Sequence, residues 1–177
     1  MEKTLSSKIL FEGRHFSFKT DVVELPNGRR TTRDIVDHPG AVAIIPILPD
    51  GRIVLVRQYR YAVQTDLLEI PAGTLEKGEK PLDCALRELR EETGYEANSM
   101  EMLMSCYVAP GYSSEVIHFY VASVLRKVES NTELDEAITV ERIEFEQALK
   151  MIKEKTIVDA KTVAGLLAYL TYYLNKA

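Results

Sequence analysis

Acidic residues are concentrated in one short stretch of the chain. Seven carboxylates lie from Glu76 to Glu96, against four basic side chains. If the stretch is helical, Glu88 lies between Glu91 and Glu92 on one flank of the helix, because residues three and four apart share a face. Carboxylate oxygens are the ligands that Mg²⁺ and Mn²⁺ prefer. The stretch therefore indicates a possible site for such a cation.

The helix that would carry these carboxylates is predicted by its own start and stop signals. Pro81 suits the first turn, where its missing N–H is not needed, and Gly94 suits the C-terminal cap. Helical spacing also gives the segment one apolar stripe, formed by Leu82, Ala85, Leu86 and Leu89. Glu92 falls at the border of that stripe. The carboxylates are therefore expected at the rim of the core.

Periodicity alone leaves a second interpretation open. A solvated helix rich in Glu and Arg has the same pattern, and like charges four residues apart cost only roughly 0.2–0.5 kcal/mol. That cost is too small to require a ligand. Arg87 precedes Glu91 by four residues and would pair with it. The glycine-containing loop before the helix could bring the Ala72 carbonyl beside the carboxylates.

The rest of the chain alternates between strands and helices. The first forty residues are β-prone, with a turn at Pro26-Asn27-Gly28 and a return strand at Thr31–His38. Ala41–Leu48 is a nearly continuous apolar run, which is typical of a buried strand. Later elements are predicted as strands over Ile53–Val56, Met102–Val108 and Val116–Val124, and as helices over Phe145–Glu154 and Asp159–Leu174. This order predicts an α+β domain.

Composition excludes several classes of protein. The chain has 177 residues, 46% of them hydrophobic, which favours one ordinary globular domain. Its net charge of −5 argues against a nucleic-acid partner. No apolar stretch reaches the ~18–20 residues of a membrane span, and the N-terminus lacks a signal-peptide core. Cys84 and Cys106 have neither metal nor redox spacing, so we expect a cytoplasmic protein with reduced thiols.

The spacing of particular residues is more specific than the periodicity. Counting from Gly73, the matching positions are Glu79, Arg87-Glu88-Leu89, Glu91-Glu92 and Gly94, and Tyr95 fills the last position. This arrangement resembles the signature of the Nudix hydrolases, with one departure at Tyr95, where a branched aliphatic residue is usual. The resemblance implies an α/β/α sandwich, with a mixed β-sheet between helices, over residues 41–177. Residues 1–40 would form an N-terminal β-rich segment through which the chain dimerises.

The resemblance also implies roles for the acidic residues. Glu88 and Glu92 would be the main ligands of a divalent metal, Mg²⁺ or Mn²⁺. The Ala72 carbonyl would assist them, and Glu91 would serve both as a further ligand and as a catalytic residue. The other signature residues would orient the carboxylates and hold the loop, namely Arg87, Glu79 and Gly73. Metal ions there would neutralise the charge of a pyrophosphate and stabilise the attacking and leaving oxygens.

Residues outside the signature resemble the ADP-ribose pyrophosphatase subgroup of the family. Pro110 stands fifteen residues after Tyr95, and the similar segments are His38–Val42, Val56–Tyr61 and Ala109–Glu115. The implied reaction is hydrolysis of the pyrophosphate bond of ADP-ribose to AMP and ribose 5-phosphate. Two alternatives remain open: another nucleoside diphosphate sugar or dinucleotide as substrate, or a non-catalytic Nudix module that binds nucleotides.

The same resemblance suggests the residues that bind a nucleotide-sugar substrate. Arg60 would contact the diphosphate, because a planar donor fork fits phosphate oxygens, and Arg57 is a weaker choice for that role. A surface salt bridge is the alternative for either arginine. Arg33, with Arg30, could reach a ligand across a homodimer interface. The further substrate-binding candidates are Pro110, as the subgroup marker, and three aromatic residues that could stack on adenine, Phe16, Phe18 and Tyr112.

The catalytic base is expected on the loop Thr132–Ile138. Glu136, two residues before Ile138, fits the position that the resemblance suggests, and Glu133 remains open because Leu134 interrupts the acidic run. Glu115 is a second-rank candidate for binding metal or positioning water. The three histidines have no ligand spacing and are expected to be structural.

Overall fold

The computed structural model describes residues 1–128 and 138–174. Its strands are β1 (Lys3–Glu12), β2 (Ser17–Glu24), β3 (Arg30–Asp37), β4 (Ala41–Pro46), β5 (Ile53–Arg60), β6 (Thr65–Glu69), β7 (Ala72–Thr74), β8 (Tyr95–Tyr107), β9 (Val116–Lys127) and β10 (Ile138–Ile143). Its helices are α1 (Pro81–Thr93), α2 (Phe145–Lys153) and α3 (Ala160–Tyr169), with a 3₁₀ turn at Tyr61–Val63 and a π-helical turn at Leu170–Leu174. None of the described helices is long and apolar enough to cross a membrane.

Strand β4 lies at the centre of the core because helices cover both of its faces. Val42 and Ile44, on one face, belong to the cluster that packs against α1. Ala43 and Ile45, on the other face, belong to the cluster that includes residues of α2 and α3. All four side chains are fully buried, as expected of a strand that is apolar on both sides. The expected α/β/α sandwich is confirmed.

The strands form three sheets. The order in the first is β7-β4-β9-β8, parallel between β4 and β9 and antiparallel elsewhere, so this sheet is mixed as expected. The second is antiparallel, in the order β10-β5-β6. Helix α1 packs against strands of both sheets, which places its polar flank beside both β5 and β7.

The N-terminal strands form the third sheet, an antiparallel meander in the order β1-β2-β3. The sheet is tied to the sandwich through the loop before β9. Val36 N–H donates to the Tyr112 carbonyl over 2.8 Å, and Ser114 N–H donates to the Val36 carbonyl over 3.0 Å. β1 is exposed along its whole length. The β-rich character expected of residues 1–40 is confirmed.

Tyr95 fills the position where the family signature usually has an aliphatic residue. Its side chain is 7% exposed and packs in the cluster beside α1. Arg142 Nε donates to its hydroxyl over 2.9 Å, and the guanidinium carbon lies 5.7 Å from the ring centroid. The hydroxyl is therefore satisfied inside the core, and the departure changes packing while the carboxylate positions of α1 are kept.

A buried ionic network joins the end of β6 to the start of α3. Glu69 is 1% exposed and accepts two hydrogen bonds from Arg60, at 2.8 and 2.7 Å. Lys161 contacts both Glu69 and Asp159, and Asp159 caps α3 by accepting from Thr162 N–H. Burial alone would raise the pKa of Glu69, but the Arg60 hydrogen bond and the charge of Lys161 outweigh it, so this pKa lies below its usual value.

The lowered pKa of Glu69 predicts a pH-dependent part of the stability. This contribution is present above the ordinary carboxyl pKa of 4.5 and is lost as the pH falls below that value towards the lowered pKa. Glu69→Gln should lower the free energy of unfolding at pH 7. Below pH 4.5 the free energy of unfolding of this variant should change less steeply with pH than that of the wild type, by up to about 1.4 kcal/mol per pH unit.

Urea unfolding between pH 3 and pH 7 measures this difference. The exposed α2 residue Glu146 provides the control Glu146→Gln, which should follow the wild-type pH profile. If the free energy of unfolding has the same slope against pH in the wild type and in Glu69→Gln, the lowered pKa of Glu69 is contradicted.

Candidate active site

The ends of α1 are defined by local sequence. Pro81 occupies the first turn, and Gly94 ends the helix at φ 68°, where its N–H donates to the Arg90 carbonyl. A residue without a side chain adopts that left-handed conformation at little cost. Ala85 and Leu89 face the core and are fully buried. The rotation of the helix is thereby fixed, and its acidic flank lies along the edge of the core.

Arg87 binds three carboxylates at once. Its Nε and Nη2 donate to Glu79 over 2.9 and 3.0 Å, and its Nη1 donates to Glu88 over 2.6 Å and to Glu91 over 3.0 Å. The Arg87 hydrogen bonds hold the pKa of Glu79 at about 2, against an opposing effect of burial. Glu79 also accepts from the Glu76 N–H over 2.9 Å, so the loop and the helix are joined through one guanidinium.

Glu88 lies against the backbone of the loop that precedes α1. A Cβ added to Gly73 would fall 1.9 Å from both Cδ and Oε1 of Glu88, so only glycine fits there with Glu88 in this position. Burial raises the pKa of Glu88, and the charge of Arg87 opposes that rise. This carboxylate is held at the rim of the core by close backbone packing and one shared cation.

Glu92 is the most deeply buried carboxylate on this flank, at 7% exposed. Its Oε2 accepts a hydrogen bond from Ala72 N–H over 2.9 Å. Ala72 is held in turn by the pairing of β7 with β4, where it lies opposite Ala43. The central strand therefore fixes the position of Ala72 and, through it, that of Glu92.

The oxygen donors here suit a hard divalent cation in kind. The donors lie on adjoining elements and line one cavity: the Ala72 carbonyl and the side chains of Glu88, Glu91 and Glu92. Gly73 lies so close to Glu88 that no side chain fits between them. Over residues 1–128 and 138–174, no three acidic, histidine or cysteine side chains are arranged so that they could hold a metal ion as they stand. The reason is that Glu88 and Glu91 are turned to Arg87, while Glu92 is turned to Ala72 N–H. The donors fit a cation by their chemistry, and binding requires these carboxylates to rotate towards it.

A cavity of about 1050 Å³ lies beside this acidic cluster. It is formed by the turn between β1 and β2, the end of β5, the loop from β7 to α1, and α1 itself. The sequence-predicted residues that line it are Phe16, Arg60, Ala72, Glu88, Glu91 and Glu92. The structure thus brings the expected metal ligands, except Glu115, and the expected diphosphate-binding arginine to one cavity.

Other sequence-predicted residues lie outside the cavity lining. Arg57 pairs with Glu141 at 2.7 Å, and Arg33 pairs with Glu2 at 2.6 Å. The loop before β9 carries three more, all absent from the lining among the described residues: Pro110, Tyr112 and Glu115. Glu133 and Glu136, the two expected bases, lie outside the described residues.

Sequence reasoning missed several residues that line the cavity, namely Arg14, His15, Gln58 and Lys77. Arg14 and His15 lie on a turn of the N-terminal sheet, whose position over α1 has no signature in a single sequence. Gln58 did carry a signal. It follows Val54 and Val56 at two-residue spacing, so a buried strand face changes there from apolar to polar.

Comparison with known proteins agrees with this geometry. Residues 37–166 match the NUDIX domain, and residues 2–36 match the nucleoside diphosphate sugar hydrolase N-terminal domain. The fold is similar to the crystal structure of a protein described as an ADP compounds hydrolase, over 99% of this chain and 96% of that chain, with a TM-score of 0.86. At 23% identity that likeness shows the fold alone.

Two curated relatives cover nearly the whole chain. An ADP-ribose pyrophosphatase of Bacillus subtilis (strain 168) is 42% identical over 98% of this chain and 92% of its own length. A methanol dehydrogenase activator of Bacillus methanolicus is 51% identical over 93% of this chain and 90% of its own. The match to the domain and these identities agree with the spacing of Gly73, Glu79, Arg87 and the glutamates. The chain belongs to the Nudix hydrolase family.

Proposed function

We propose that this Nudix hydrolase cleaves the pyrophosphate bond of ADP-ribose, with AMP and ribose 5-phosphate as products. The observation that carries the proposal is the meeting of an acidic cluster and Arg60 in one cavity. Carboxylates that can hold cations and a guanidinium that can bind phosphate together suit a diphosphate. The relative from Bacillus subtilis, 42% identical over 98% of this chain, supports ADP-ribose as the substrate.

Dependence on a divalent metal is general among Nudix hydrolases. We propose Mg²⁺ or Mn²⁺, because the donors are all oxygen. Glu88, Glu92 and the Ala72 carbonyl would hold the metal, and Glu91 would assist. When bound, the metal supplies charge neutralisation and polarisation of the phosphoryl oxygens. Arg87 holds Glu88 and Glu91 together on one flank of the helix.

Arg60 is proposed as the diphosphate-binding residue from the protein itself. Its two hydrogen bonds to Glu69 fix the plane of the guanidinium at the cavity wall. A fixed plane reduces the side-chain entropy that would be lost when a phosphate binds. In the same cavity, Phe16 is 45% exposed and is the proposed stacking partner of adenine.

Residues 1–40 are proposed as a dimerising segment and residues 41–177 as the hydrolase domain. β1 exposes Leu5, Ile9, Leu10 and Phe11 by 39–58%, and such an apolar strand favours a protein partner. In a homodimer Arg33 could reach the partner's cavity. Sedimentation should give about twice the 20.0 kDa chain mass, and a single-chain mass would contradict the proposal.

We also propose that the protein works in the cytoplasm. Both of its cysteines are free, Cys84 buried and Cys106 partly buried. Free thiols are typical of reducing compartments. The check is to label intact and lysed cells with a membrane-impermeant thiol reagent, and then to purify the protein and measure how far Cys106 is modified. Modification of Cys106 before lysis would contradict a cytoplasmic location.

The substrate assignment predicts the outcome of a hydrolysis panel. ADP-ribose, GDP-mannose, UDP-glucose and NAD⁺ are incubated with the protein and Mg²⁺, with Mn²⁺ as a second metal and EDTA as the control. ADP-ribose should give the highest kcat/KM, with AMP and ribose 5-phosphate in equal amounts and no turnover in EDTA. Faster turnover of another member would refute ADP-ribose as the preferred substrate. Binding without hydrolysis of any member would instead favour the non-catalytic module.

The catalytic base is proposed to be Glu136, with Glu133 as the alternative. General-base catalysis typically contributes about 10²–10⁴-fold, so loss of the base should lower kcat by that factor with little change in KM. Steady-state kinetics of Glu136→Gln and Glu133→Gln, measured side by side, identify the residue by the larger loss. If both variants keep kcat within about twofold of the wild type, neither glutamate is the base.

A further inference from the structure

Gln58 is a buried polar residue whose role the proposed mechanism leaves unexplained. It lies near the end of β5, the central strand of its sheet, opposite Leu67 of β6 and Ile138 of β10. Its side chain shares a face of the strand with Val54 and Val56, both buried, and with Arg60. Gln58 therefore stands where this face passes from the core to the cavity wall.

The side-chain carbonyl of Gln58 has no hydrogen-bond partner within the part of the protein that the structure describes. The residue is 7% exposed, and its Oε1 is buried with no donor in reach among residues 1–128 and 138–174. A buried acceptor left unpaired costs about 1–3 kcal/mol. Such a cost in a native fold requires an explanation, and a ligand that supplies the missing donor is one.

The surroundings of Gln58 restrict the kind of donor. Its neighbour Arg60 already donates to Glu69. From α1, the cavity lining has three carboxylates and Arg87, which is already paired with glutamates. A diphosphate, like a carboxylate, only accepts hydrogen bonds at neutral pH. In a nucleoside diphosphate sugar, the donors next to the diphosphate are the sugar hydroxyls.

The lining of the cavity also separates the two ends of such a substrate. Among its described residues, the aromatic rings are His15 and Phe16, both from the N-terminal sheet, where a base could stack. Gln58 belongs to a different wall, the sheet that contains β5 and β10. With the base stacked at His15 or Phe16, a diphosphate between these walls would place its terminal sugar on the side of Gln58.

We infer that Gln58 is a specificity-determining residue, whose side-chain carbonyl accepts a hydrogen bond from a hydroxyl of the terminal sugar. The inference rests on the proposed function, since it assumes a nucleoside diphosphate sugar in the cavity. It adds a means of telling sugars from other groups esterified to the same diphosphate. A site built to pair with a substrate hydroxyl discriminates strongly against an analogue that lacks it.

The test combines a residue change with a substrate change. Gln58→Met removes the acceptor and keeps a similar volume, while the butyl ester of ADP keeps the diphosphate and lacks the terminal-sugar hydroxyls. We expect kcat/KM of Gln58→Met to fall about 10–100-fold on ADP-ribose, and to stay within about twofold of wild type on the ester. The control Leu67→Met alters the residue opposite Gln58 and should leave both values unchanged.

Thermal unfolding separates this role from a structural one. Gln58→Met replaces a buried acceptor that no described residue pairs with by an apolar side chain, so the Tm of the variant should equal or exceed that of the wild type. Equal losses on the two substrates, no loss on ADP-ribose, or a lower Tm would each overturn the inference. Wild-type protein that cleaves neither compound would instead refute the proposed function, and the inference with it.

Discussion

One guanidinium makes the acidic flank of α1 possible. The nitrogens of Arg87 lie within 3.0 Å of three carboxylates, those of Glu79, Glu88 and Glu91. Carboxylates gathered at the rim of a core repel one another and lose hydration, and the shared cation offsets both costs. Its planar donors also fix their geometry, which a lysine could not do with a single ammonium group. The remainder of the site depends on this interaction.

Packing of the core fixes the rotation of α1 and the positions of Glu88 and Glu92, which Arg87 alone does not fix. Ala85 and Leu89 bury the side of α1 that adjoins the acidic flank, so the helix cannot rotate to expose its acids to bulk water. Strand β4 holds Ala72, whose N–H binds Glu92, and Gly73 allows Glu88 to approach the backbone. Packing therefore determines where negative charge accumulates. Such accumulation suits a metal, which would reverse the local field and allow a polyanionic substrate to bind a protein of net charge −5.

The elements that could be predicted are those whose ends or burial depend on residues close together in the sequence. Pro81 and Gly94 bound α1 as expected, and the apolar run from Ala41 became the central strand. Strand β7 was missed because its three residues gain their pairing from β4, thirty residues earlier. That no described residue donates to the Gln58 carbonyl was also beyond prediction. It depends on which donors the fold brings near, and a single sequence does not contain that information.

The acidic flank of α1 is proposed to hold a divalent cation. The most direct measurement is Mn²⁺ binding followed by electron paramagnetic resonance in the absence of substrate. The wild type should bind Mn²⁺, and Glu88→Gln and Glu92→Gln should each weaken binding at least about tenfold, by loss of a charged ligand. Glu96→Gln, which alters a glutamate paired with Arg126 just beyond the helix, should bind like the wild type. Equal affinity in all four proteins would contradict the account.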